Sequence, residues 1–272
     1  MKIYYYYLIM SDDKFNLTIF IKNSFKETIE YLKKNNIQIG GLLLRIIGSL
    51  EEYKQIYKTN AKSRLAWYNS GKREIYIIKS ELEKDINKDV NNPNKIFIGN
   101  LFAVTSNGIL YPIYKNDDDI EKLIAKAIVD PIVIHEIGHD IVGAGNWKAT
   151  AFEYLVYFYK NELYRYPKVY EIIEENIKRC ERFIREKDPN PSTLGACFAN
   201  DLIYIHENLL NKDKQSPKLN IKDTIEKIKF IPDEDGMDIT KILNTLLITK
   251  DYYIDINRMF NALTKVLMLL YP

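Results

Sequence analysis

The chain has 272 residues, 46% of them hydrophobic and 12% aromatic, which is ample for a packed interior in one large domain or two lobes. Lys and Arg number 39 against 37 Asp and Glu, a formal net charge of +2 without any dense basic block, so nothing in the charge supports a nucleic-acid partner. No apolar run reaches bilayer length, and the expectation is a soluble cytoplasmic protein with neither nucleic acid nor membrane as partner. Cys180 and Cys197 are the only cysteines; with no C-x-x-C pair and no disulfide framework they fit a reducing interior better than secretion, and a bridge between them stays open.

Met1 to Met10 is apolar but runs into Ser11-Asp-Asp-Lys without a small-residue cleavage site, so it reads as a strand rather than a signal peptide. Ile3 to Ile9 and Asn16 to Ile21 then form a predicted hairpin. Ser24 with Glu27 makes a capping box that opens a helix bearing Phe25, Ile29 and Leu32, up to Asn35-Asn36. Leu42 to Ile47 is a continuous apolar run, predicted to be a buried central strand, and Ser49 with Glu52 opens a second, short helix. Leu65 to Tyr68 and Glu74 to Ile78 form a further hairpin in which Gly71 would supply a positive φ. Glu81 to Lys95, charged, Asn-rich and holding Pro93, reads as a flexible loop. Ile96 to Thr105 and Ile109 to Tyr114 flank the two-residue turn after Ser106, and Asp117 to Asp119 cap a helix carrying Ile120, Leu123, Ile124, Ala127 and Ile128.

The next stretch, Asp130 to Gly143, organises the rest. It contains His135-Glu136-Ile137-Gly138-His139, the pattern H-E-x-x-H. Histidines four apart on a helix project from nearly the same side, so both imidazoles can reach one Zn²⁺, while Glu136, roughly 100° round the axis, reaches a water beside the metal. Asp130 reads as the N-cap, Pro131 as the first helical residue and Gly143 as the left-handed stop. Ile134, Ile137 and Ile141 bury the back of the helix, and Gly138 leaves room for a close neighbour. With three His in the chain, this pattern arises by chance in on the order of one shuffled sequence in several hundred, which favours a metal site over a solvated helix face.

After Gly145 the β signals stop. Helices are predicted at Lys148 to Glu162, Pro167 to Glu186, Thr193 to Leu210, Lys222 to Lys229, Met237 to Ile248 and Ile254 to Leu270. The fold class is therefore α+β: a β-rich N-terminal lobe over 1–145 that ends in the metal-binding helix, a helical C-terminal lobe over 146–272, and a cleft between them.

A catalytic zinc usually takes three protein ligands and leaves a position for water. Glu153 is the candidate for the third, as the only charged residue of Ala149 to Tyr159, where a carboxylate needs a partner; Glu162 and His206 are the substitutes. This arrangement resembles the zincin metallopeptidases and, within them, the gluzincins, in which a glutamate ligand follows H-E-x-x-H on a later helix. The resemblance implies a peptide or protein substrate, Zn²⁺ as cofactor, His135, His139 and Glu153 as ligands, Glu136 as general base, and His206 as the residue stabilising the oxyanion. Thermolysin-like members often carry an acidic residue one turn after the ligand glutamate, where this chain has Tyr157. The metzincin pattern fails because Val142 stands in place of its Gly and Gly145 in place of its third His, and the aspzincin pattern has no match. His-Glu-Ile-Gly-His is also similar, in motif alone, to the peptidases that cleave phage repressors. Asp140 is left with two roles, orienting a ligand imidazole or closing the helix, and Asp233 to Asp238 lacks the spacing of a Ca²⁺ loop and reads as a solvated turn. The expected function is zinc-dependent peptide hydrolysis; the alternatives are a zinc hydrolase of a non-protein substrate and a metal-stabilised binding protein without turnover.

Overall fold

Residues 15–90, 96–98, 101–106, 109–114, 120–185, 191–204, 206 and 220–230 are described by a computed structural model. Within them the chain is α+β and mostly helical, with two three-stranded sheets. Asn16 caps helix α1 (Leu17–Lys34), its side chain accepting from the Ile19 N–H at 3.1 Å. Asn16 to Ile21 is thus the first turn of a helix and not half of a hairpin. The β-branched residues there are overruled by a 3.6-residue stripe, Leu17, Ile21, Ser24, Thr28 and Leu32, all buried.

The first sheet holds β1 (Leu43–Ile47), β2 (Ala66–Asn69) and β3 (Glu74–Ile78) in the order β1-β3-β2. β3 runs parallel to β1 and antiparallel to β2, and it is buried along its whole length. Its alternate residues serve two cores: Ile75 and Ile77 face the main one, while Tyr76 and Ile78 pack with Tyr53 and Trp67 under helix α2 (Leu50–Tyr57). β1, expected to be central, is an edge strand with Leu43 49% exposed. At the start of α2, Ser49 accepts from the Glu52 N–H at 3.2 Å, and Glu52 reaches back to the N–H of Gly48 at 2.8 Å. In the β2–β3 turn the positive φ falls on Arg73 (52°) rather than on Gly71.

Lys79 to Val90 is helix α3, where a loop was expected. Leu82 and Ile86 bury one face, and Glu81 gathers Lys84 (2.5 Å) and Arg64 (3.2 Å), which turns a charged sequence into an amphipathic helix. The second sheet, β4 (Ile96–Ile98), β5 (Leu101–Ser106) and β6 (Ile109–Tyr114), is an antiparallel meander with β5 in the middle.

Helix α4 (Ile120–Val142) is continuous through Pro131. Asp130 is therefore interior to the helix and not its cap. Its buried carboxylate accepts from Ser24 Oγ at 2.5 Å and from Lys160 Nζ at 3.1 Å, tying α1 and α4 to the helix that follows. Pro131 has no N–H for the Ala127 carbonyl one turn back, so one rung of the helix ladder is missing there, beside the cavity that both residues line. Gly143, at φ 107°, ends the helix.

Gly145 caps helix α5 (Asn146–Lys160), whose residues Trp147 to Phe158 are all buried. Two glycines admit its neighbours. A Cβ on Gly138 of α4 would stand 2.9 Å from Phe152 Cδ1 and 3.3 Å from the Ala149 backbone, and one on Gly195 of helix α7 (Pro191–Tyr204) would stand 2.0 Å from the Trp147 carbonyl oxygen. Helix α6 (Val169–Arg185) is joined to α7 by a disulfide, Cys180–Cys197, so the bridge left open by the sequence is formed and cysteine usage no longer favours a reducing interior. Helix α8 (Ile221–Phe230) completes the described chain. One hydrophobic core runs from Leu17 to Ile228, across both sides of the expected boundary at 145 and 146. Among the described residues no helix is long and apolar enough to cross a membrane. Ile3 to Ile9, Asp117 to Asp119, Asp233 to Asp238 and the last two expected helices lie outside the described residues.

Candidate metal centre

His135, Glu136 and His139 ride the last two turns of α4. Ile134 and Ile137 at 0% exposure hold the back of that helix in the core, so its other side faces a cavity of ≈ 590 Å³. His135, Glu136, Pro131, Thr150 and Glu153 line this cavity from α4 and α5, together with Arg64 and Ala66 beside and on β2. The His135 and His139 rings lie 4.8 Å apart at 87° to one another.

Each imidazole meets an acceptor through Nδ1. His135 Nδ1 is 2.8 Å from Glu153 Oε2, with Thr150 Oγ1 at 3.5 Å, and His139 Nδ1 is 3.3 Å from the Gly143 carbonyl oxygen. A carbonyl can only accept, so the His139 ring proton sits on Nδ1 and its lone pair on Nε2; with Glu153 ionised the same tautomer holds for His135, and it is the one that leaves Nε2 free for a metal. Burial, followed by the neighbouring His139, lowers the pKa of His135 to about 3 and keeps it neutral.

Glu153 is buried in the centre of α5. Its Oε2 takes the His135 contact, and its Oε1 accepts a hydrogen bond from the Tyr111 hydroxyl of β6. Burial raises its carboxyl well above the usual range. Glu136 is equally buried, and its pKa is raised to about 8, chiefly by burial and against a hydrogen bond from the Tyr68 backbone. Its Oε2 has no hydrogen-bond partner among the described residues.

Two buried carboxyl groups and two imidazoles thus stand together, and among the described residues neither carboxyl pairs with a Lys or an Arg. The charge that this donor set calls for is positive, and imidazole nitrogen with carboxylate oxygen suits zinc. As they stand, no three His, Cys, Asp or Glu side chains among the described residues form a metal-holding group. Glu153 lies against the Nδ1 side of His135, and that placement accounts for the result.

The substitutes for the third ligand lie elsewhere. Glu162 is at the surface on Arg165 at 2.7 Å, and His206, buried beyond the end of α7, does not line the cavity. Asp140 faces the sheet instead of an imidazole, accepting from the Tyr68 hydroxyl at 2.5 Å and from Arg73 Nε and Nη2 at 3.0 and 2.6 Å. Three participants had no marker in the sequence: Tyr111, Thr150 and the backbone of Tyr68. Tyr111 meets Glu153 across 42 positions, a pairing that no local pattern announces.

β2 adds one more feature. The Ile78 N–H donates to the Leu65 carbonyl at 2.8 Å, and antiparallel ladder bonds alternate, so the backbone groups of Ala66 and Tyr68 point away from β3. Tyr68 accordingly donates to Glu136, and Ala66 lines the cavity. Comparison with protein-family models, curated proteins and solved structures finds no match to this chain.

Proposed function

We propose that the protein is a zinc-dependent hydrolase of peptide bonds, with the cavity between α4, α5 and β2 as its substrate cleft. The observation that carries this reading is the pair of buried carboxyls beside the imidazoles of His135 and His139, with no Lys or Arg among the described residues to neutralise either carboxyl. His135 and His139 would hold the ion through Nε2; Glu153, on the Nδ1 side of the His135 ring, would orient that ligand from behind, and it would become the third donor by turning its carboxylate from Nδ1 to the metal. A bound zinc ion supplies a Lewis acid and an acidified water. With the ion's charge beside it favouring the ionised carboxylate, Glu136 would take the proton of the attacking water on Oε2 and return it to the leaving amine. The Tyr68 N–H on the other side of that carboxylate fixes its orientation.

The outward-facing N–H and C=O of Ala66 and the C=O of Tyr68 offer an extended peptide a strand to pair with beside Glu136, which holds the Tyr68 N–H. β5, by contrast, is paired on both sides, Ala103 facing Ile96 and Pro112, and has no free edge to give.

Metal analysis tests the reading. The purified protein should carry about one zinc per chain, His135→Ala and His139→Ala should each empty the site, and Glu136→Gln should keep the metal while losing turnover by several orders of magnitude. Full occupancy in either histidine variant overturns the metal assignment, and near-normal hydrolysis by Glu136→Gln overturns the chemistry.

A further inference from the structure

We infer that Tyr111 is a positioning residue of this centre, acting through Glu153; the inference rests on the metal reading above. Tyr111 stands on β6, 2% exposed, and donates its hydroxyl proton to Glu153 Oε1. The other oxygen of that carboxylate is 2.8 Å from His135 Nδ1. Phenol, carboxylate and imidazole therefore form one chain from the second sheet to the motif helix.

A glutamate on a helix has three side-chain torsions, and a single contact leaves its carboxylate plane undecided. With Oε1 held by a donor that does not move, the direction in which Oε2 presents its lone pairs is set. Tyr111 meets that requirement. Its ring packs on Tyr154 at 4.4 Å and edge-on against Tyr157 at 5.4 Å, and the Tyr157 hydroxyl donates to the carbonyl of Pro112, the next residue along β6, at 3.1 Å. The strand is thus pinned to α5 one residue from the phenol and one helical turn from Glu153. In the resembled family an acidic residue often occupies the place of Tyr157. Here a donor from a different element supports the carboxylate, and it does so without burying another negative charge.

Replacement by phenylalanine separates the hydroxyl from the ring, because it keeps the packing on Tyr154 and Tyr157. The test uses the full-length protein, Tyr111→Phe, Glu153→Gln and the double variant. Zinc affinity is measured by competition with a chromophoric chelator, and the His135 ring ¹⁵N resonances are recorded without metal. Tyr111→Phe should weaken zinc about 10- to 100-fold and shift the His135 resonances. In the Glu153→Gln background the same substitution should change affinity less than about twofold and leave those resonances in place, because the hydroxyl has lost the group it acts through. Where that background binds zinc too weakly to titrate, the resonances complete the cycle. Unchanged affinity in Tyr111→Phe, or the same loss and the same shift in both backgrounds, overturns the inference while leaving the metal reading intact. A wild-type chain that binds no zinc overturns both.

Discussion

Arg73 grips Asp140 with two nitrogens, Nε at 3.0 Å and Nη2 at 2.6 Å, and so joins the β2–β3 turn to the last turn of the motif helix. The same carboxylate takes the Tyr68 hydroxyl at 2.5 Å, so a single buried acid fixes the distance between β2 and α4. Arg73 is about half exposed, and solvent screens its share. The larger loss on removing the acid is that of the buried acceptor for Tyr68. Asp140→Ala should destabilise the protein by about 1–3 kcal/mol in urea unfolding, and Arg73→Ala by about 1 kcal/mol or less. An arginine variant that costs as much as the aspartate variant would contradict this division.

Gly138 and Gly195 allow α5 to be approached from both sides, but they differ in what a methyl group would meet. At Gly138 the nearest atom is the ring carbon Phe152 Cδ1 at 2.9 Å, with the Ala149 backbone behind it at 3.3 Å. At Gly195 the carbonyl oxygen of Trp147, at 2.0 Å, belongs to a helix backbone that has nowhere to go. Alanine at 195 should therefore cost at least about 3 kcal/mol or prevent folding, while alanine at 138 should cost about 1–3 kcal/mol. Thermal unfolding of the two variants checks the order, and a Gly195→Ala protein as stable as Gly138→Ala would show that α7 can shift.

Much of this was legible wherever the signal was local. The capping box at Ser49 and Glu52, the two hairpins and the side on which His135 and His139 project follow from spacing alone. The gap left by Gly138 was visible from its place inside an isoleucine-rich helix. Glu153 stood out as a single charge in an apolar run, and its burial follows from that company. What spacing could not show was who meets whom. Asp130 before Pro131 reads as a helix start, yet Ser24 and Lys160, 106 and 30 residues away, hold it inside a continuous helix. Glu81 to Val90 looks like loop until Arg64 is placed beside Glu81 and Asp85. β1 lies at the edge of its sheet and not at the expected centre, because strand order is a tertiary property that the apolar content of one run does not encode.

Glu74 gives the protein a defined sensitivity to acid. The Tyr76 hydroxyl, and after it Arg45 at 2.8 and 3.0 Å, donate to its carboxylate and hold its pKa below the usual range. A carboxyl whose pKa is lower folded than unfolded adds stability above its unfolded pKa and loses it as the pH falls through the folded value. Glu74→Gln should therefore be less stable than wild type at neutral pH, and the difference should shrink from about pH 5 downward. Urea midpoints of the two proteins across that range provide the check. A gap that stays constant with pH would mean that shape and not charge accounts for the contribution of Glu74.

The final prediction concerns how the substrate is held. β2 pairs with β3 through Leu65, Trp67 and Asn69, while the N–H and C=O groups of Ala66 and Tyr68 face away, beside Glu136. Proline at position 66 removes one outward N–H without touching any ladder bond to β3, whereas proline at 67 removes a ladder bond and should damage the sheet itself. Binding is best separated from turnover in a Glu136→Gln background with an unlabelled decapeptide competing against a fluorescent one. Adding Ala66→Pro to that background should weaken peptide binding about tenfold and leave zinc content unchanged, since the substitution lies on β2 and not on the helices that carry His135, His139 and Glu153. Adding Ala103→Pro instead should leave peptide affinity unchanged in whatever folded protein it yields, because β5 already has a partner on each side. Peptide affinity that is indifferent to position 66 and lost at position 103 would return the substrate to the second sheet.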